Sequence, residues 1–111
     1  MSPRLCAAGG LAALLAMGGT SAASAETIQV DIAKLGYSPT QVSAHVGDTI
    51  KWVSSDFVVH TATARDKQWD IMIPAKGTGS VVLKTPGTID YYCRFHPNMK
   101  GTITVADKPP A

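Results

Sequence analysis

The stretch Gly87–Met99 reads GTIDYYCRFHPNM, and its first half sets the fold. Apolar or aromatic side chains recur at every second position, Ile89, Tyr91 and Cys93, with Asp90 between them. That period of two predicts a β-strand with one face against a core. The strand parity points Cys93 inward, at the strand's exit. A short loop follows, with His96 and Met99 at three-residue spacing after Cys93, and Lys100–Gly101 turns the chain into the run Gly101–Val105.

The rest of the chain has the same grammar. Ile28, Val30 and Ile32 alternate with Thr27, Gln29 and Asp31. Gly36–Pro39 reads as a turn or break. Val42, Ala44 and Val46 share one face of the next strand, which puts His45 out of phase and toward solvent. Gly47–Asp48 leads into Thr49–Val53, and Val58–Ala64 forms another strand on which His60 shares a face with Val58, Ala62 and Ala64. Residues 68–79 hold apolar Trp69, Ile71, Met72 and Ile73, but Pro74, Gly77 and Gly79 argue against one continuous strand and leave room for a short helical turn. Met72 reads as packing, and Trp52, Trp69 and Tyr91 as core or rim aromatics. Ser80–Lys84 resumes a strand. The pattern predicts an all-β chain of about seven to eight short strands, an antiparallel sandwich or barrel.

The N-terminus defines a compartment. Arg4 precedes an apolar run from Leu5 to Met17, and Ala23-Ser24-Ala25 has the small-residue form of a cleavage site. This is the pattern of a secretory leader over residues 1–25, with residues 26–111 as one small domain. The run is short for a membrane anchor and is broken by Gly9, Gly10, Gly18 and Gly19, so no span is expected after cleavage. A formal net charge of +2 over the whole chain offers no polybasic patch, which argues against a nucleic-acid partner.

The leader makes the cysteine count informative. Of the two cysteines, Cys6 lies in the leader, so the mature chain keeps Cys93 alone. Exported small domains use cysteines in pairs. A single one implies an intermolecular bridge, a reactive thiol or a metal ligand. Any one His, Met or Cys is more often core filler than a ligand. Their conjunction favours a metal site: C-x-x-H-x-x-M after an inward strand, with His60 inward from upstream. Two imidazoles, a thiolate and a thioether are the donor set of a type 1 copper site. The candidate ligands are therefore His60, Cys93, His96 and Met99, around one copper ion. Zinc fits less well because thioether is not its usual structural ligand.

The heptapeptide CRFHPNM, preceded by G-x-I-x-Y-x-C and followed by KGTITV, resembles the cupredoxin family, and its short ligand loop is similar to that of the small amicyanin- and plastocyanin-type members. GDTIKW ahead of His60 matches the family's entry to the upstream ligand. The resemblance covers the mature chain and implies a Greek-key β-sandwich, a single copper held by those four residues, and a periplasmic electron shuttle. Its exposed His96 edge, in an apolar patch, would face redox partners such as a dehydrogenase, a cytochrome, or an oxidase or reductase. A monomer is expected. At Thr61 the family commonly has Asn, whose side chain ties the two ligand loops together, and Thr61 is expected to take over part of that bonding. Val59 stands where many members have Pro. Two other functions compete: copper delivery or sequestration, and Cys–His nucleophilic chemistry. The first favours exposed Met or His clusters and the second a substrate cleft.

Overall fold

The computed structural model describes residues 24–108. The expected leader, apart from its last two residues, lies outside them. Nine strands are present among the described residues: β1 (Thr27–Ala33), β2 (Gly36–Ser38), β3 (Gln41–His45), β4 (Thr49–Ser54), β5 (His60–Ala64), β6 (Asp70–Ile73), β7 (Thr78–Val82), β8 (Gly87–Cys93) and β9 (His96–Ala106). They form two sheets, ordered β2-β1-β4-β7 and β3-β9-β8-β5-β6, packed as a sandwich.

The nine strands exceed the expected seven to eight. Gly36–Ser38 pairs with β1 as a three-residue strand, too short to show alternation. In the 68–79 segment, Pro74 and Gly77 fall between two strands, β6 and β7, and not inside one, and no helical turn forms there. The sheets are also mixed, not purely antiparallel: β1 runs parallel to β4, and β3 parallel to β9. Strand direction depends on how connections cross between sheets, which side-chain alternation does not encode.

Inward residues of both sheets make one core. Val30, Ile32, Ile50, Trp52, Ile73, Leu83, Tyr91 and Ile103 are almost fully buried. Trp52 lies at the centre of an aromatic cluster, with ring centroids 5.5 Å from both Trp69 and Tyr91. Tyr37 continues it, 4.7 Å from Tyr91. Burial raises the Tyr91 phenol to about 12 and pushes Tyr37 higher still, so both stay protonated, and Tyr91 Oη accepts from Trp52 Nε1 at 3.3 Å. Gly101 is required here, because a Cβ on it would lie 2.8 Å from the Tyr91 ring.

Candidate metal centre

The centre is built at one end of the five-stranded sheet, from three strands that are direct neighbours. His60 opens β5, Cys93 closes β8 and His96 opens β9. The pairing of β8 with β9 persists to Cys93↔His96, with an irregularity between Tyr92 and Cys93. The ligand segment is thus a hairpin with Arg94-Phe95 at its tip, and β9 starts at His96, five residues earlier than Gly101, where alternation first shows it. His60 and Cys93 are completely buried, Met99 is 3% exposed, and His96 is half-buried.

Distances bring the donor atoms together. Cys93 Sγ lies 3.6 Å from His60 Nδ1 and 3.7 Å from His96 Nδ1. One donor atom from each of these three residues falls within 4.8 Å of the others. In a trigonal plane, zinc-like bonds of about 2.0 Å to nitrogen and about 2.3 Å to sulfur would set N and S about 3.7 Å apart. The pocket therefore fits one first-row metal ion. A thiolate and two imidazoles with a buried thioether at hand make His60, Cys93, His96 and Met99 a typical type 1 copper cluster. The two imidazoles meet edge to face at 5.0 Å between centroids.

A ring of hydrogen bonds braces the cysteine hairpin. The Thr61 backbone N–H points at Cys93 Sγ at 3.4 Å, and the Arg94 N–H donates to Thr61 Oγ1 at 2.9 Å. Thr61 Oγ1 lies 2.9 Å from Thr63 Oγ1, which donates to Asp70 Oδ1 at 2.7 Å. An ionised carboxylate only accepts, so Thr63 must donate to Asp70 and Thr61 to Thr63. Arg94 Nε donates to the same Asp70 oxygen at 3.2 Å, closing the ring on the residue where it began. The bonds from Thr63 and then Arg94 hold the Asp70 carboxyl below its usual range. Thr61 thus does tie the two ligand segments together, with a hydroxyl in place of an amide. Tyr37 Oη donates to the Thr61 carbonyl and fixes the same residue from the core side.

On its far side, His60 meets a carboxylate. Its Nε2 lies 2.8 Å from Asp56 Oδ2. Asp56 also accepts from the backbone N–H groups of Lys34 (2.8 Å) and Leu35 (3.0 Å). Burial would raise the Asp56 pKa, but the bonds from His60, Leu35 and Lys34 more than offset this and hold it low.

Three sequence readings need correction. Val58 does not share a buried face with His60, since β5 begins only at His60 and Val58 is exposed. Met72 is not packing: it is 50% exposed on β6. All five residues of β5 are buried, so parity alone could not separate inward from outward positions there. His45 does face solvent as expected. Asp56, Thr63 and Asp70 were not legible as site residues. The Asp56-x-x-x-His60 spacing is too common in loops to carry a signal by itself.

Comparison with known proteins agrees with this geometry. The family model of the cupredoxin-like domain matches residues 5–105, and the chain belongs to that family. Among individual relatives, it is 30% identical to amicyanin-alpha of Methylorubrum extorquens, over 91% of this chain and 97% of the relative. It is also 30% identical to amicyanin of Paracoccus denitrificans, over 70% of this chain and 64% of the relative. A solved methionine-to-leucine variant of oxidised amicyanin superposes with a TM-score of 0.64 at 28% identity, covering 70% of this chain and 80% of that one. A purple cupredoxin from Nitrosopumilus maritimus, 24% identical, matches in fold with a TM-score of 0.65 over 71% of this chain and 99% of its own.

Proposed function

We propose that this protein is a periplasmic electron carrier. It holds one copper ion through His60, Cys93, His96 and Met99 and exchanges electrons at the His96 edge. Bound there, copper supplies a one-electron Cu(II)/Cu(I) couple. The protein keeps the thiolate away from oxidants, fixes both imidazoles by packing, and limits rearrangement as charge changes.

One observation carries the reading: three of the four donors are sealed in the sandwich, and His96 alone lies partly open. Around it, Leu35, Phe95, His96, Pro97, Asn98 and Met99 line a shallow depression. Leu35 and Phe95 are each about half exposed. Such a surface suits brief docking of a redox protein, with the imidazole edge as the short path in. A sealed mixed site also suits electron transfer better than copper delivery, which requires ligands that exchange, and a buried thiol serves a Cys–His nucleophile poorly. The leader pattern at residues 1–25 supports export to the periplasm. A dehydrogenase, cytochrome, oxidase or reductase is the class of partner, and a monomer is the form expected to dock.

Titration of the mature chain with Cu(II), followed by visible absorption and EPR, tests this. An intense blue band with narrow copper hyperfine splitting, saturating at one copper per chain, is expected. A weak tetragonal signal, or bleaching as Cys93 oxidises, would defeat the carrier reading.

A further inference from the structure

Asp56 does more than fill space behind His60. Its carboxylate is enclosed by three donors: the imidazole Nε2 at 2.8 Å and the N–H groups of Lys34 and Leu35. Those two N–H groups come from the β1–β2 turn, which pairs Ala33 with Gly36 and has only Lys34 and Leu35 between them. Both adopt positive φ, 53° and 59°, in a turn whose geometry favours Asn and Gly. Neither residue is suited to that conformation by its own chemistry, and the carboxylate they jointly bind offsets the strain. Asp56 is itself tied down, its N–H to Ser54 Oγ at 3.1 Å and its carbonyl to the Lys76 N–H at 2.9 Å. Its side chain is 15% exposed and that of His60 fully buried, so the charge acts across little water.

We propose that Asp56 is a positioning and potential-setting residue. Its carboxylate takes the Nε2–H of His60, commits the Nδ1 lone pair to the metal, and lowers the reduction potential by favouring Cu(II) over Cu(I). This rests on the copper reading above. The charge argument is direct. Two neutral imidazoles and one thiolate leave a net positive charge on the Cu(II) centre and none on the Cu(I) centre. A fixed anion behind one imidazole therefore stabilises the oxidised form more. It also makes the imidazole a stronger donor, as carboxylates behind metal-bound histidines do. The Lys34–Leu35 turn holds the carboxylate in place, and the exposed Leu35 side chain lies on the apolar surface beside His96. The same turn thus serves the docking face and the metal's electrostatics.

The test compares wild type with Asp56→Asn and Asp56→Ala by copper-site spectra and potentiometry, alongside ¹⁵N NMR of the copper-free wild type. Both variants are expected to keep the blue band and shift the Cu(II)/Cu(I) preference about tenfold toward Cu(I), a rise of about 59 mV for one electron. Unchanged potentials in variants that remain blue would overturn the proposal while leaving the copper reading intact. A wild type that gives no blue centre would instead defeat the reading on which it rests. The NMR measurement stands even if the variants fail to fold. Neutral His60 is expected as the Nε2–H tautomer, and a predominant Nδ1–H form would overturn the assignment.

Discussion

Strands β3 and β5 belong to one sheet and each carries a histidine at an end, yet the two histidines have opposite fates. On β3, exposed Gln41, Ser43 and His45 alternate with buried Val42 and Ala44. On β5, His60, Thr61, Ala62, Thr63 and Ala64 are all buried. The difference is one of position. β3 is an edge strand with a solvated face, whereas β5 lies between β8 and β6. Its outer face carries Thr61 and Thr63, which are covered and satisfied by Arg94 and Asp70. The ends differ as well. His45 pairs with Ala106, at the finish of β9, while the metal cluster gathers where β9 starts. A histidine joins the cluster here because of which strand it is on and at which end, not because of its immediate neighbours.

Substitutions can break or sharpen that contrast. The largest effect is expected from Cys93→Ser, which should abolish the thiolate-to-copper absorption completely, read by visible spectroscopy on the copper-loaded protein. A band that survives would take the cysteine out of the cluster. Next, Thr61→Val removes the hydroxyl at the hub of the β5 ring and leaves the Arg94 N–H without its partner. It should destabilise the copper-free protein by about 1–3 kcal/mol in denaturant unfolding, with Thr61→Ser close to wild type. Gly101→Ala should cost a similar amount, about 1–3 kcal/mol, because the new methyl group must displace the Tyr91 ring. Met99→Leu should keep copper bound but raise the reduction potential, since a weak sulfur donor is lost while the pocket stays apolar and closed. His45→Ala should be smallest, within about 0.5 kcal/mol in stability and with no change in the copper spectrum. An altered spectrum in that last variant would mean the two strands are not as different as the structure makes them.

The outcome for β5 also shows where sequence reading reaches its limit. Parity with Val58, Ala62 and Ala64 places His60 inward, and it is fully buried. But Val58 is exposed, and Thr61 and Thr63 on the opposite face are buried too, at 0% and 9% exposure. Of the three histidines in the chain, the fold sets His60 and His96 beside Cys93 and leaves His45 in solvent. By contrast, β8 was legible for the reason given, since Ile89, Tyr91 and Cys93 are all buried with Asp90 exposed between them.

What the sequence determined by itself is therefore local. Side-chain alternation encodes which residues of a half-solvated strand face the core, as on β3 and β8. The C-x-x-H-x-x-M spacing encodes a ligand hairpin, because three donors on one short segment can approach one point whatever the rest of the chain does. Tertiary structure decided everything that depends on what lies across a gap. It set the parallel pairings, placed His60 beside Cys93, closed the Thr61–Thr63–Asp70–Arg94 ring, and put Asp56 against His60 Nε2 with a turn 21 and 22 residues away in sequence. Hydrogen-bond acceptors such as Asp56 and Asp70 have no periodic signature. A carboxylate on a loop reads as solvated charge until the fold brings donors to it.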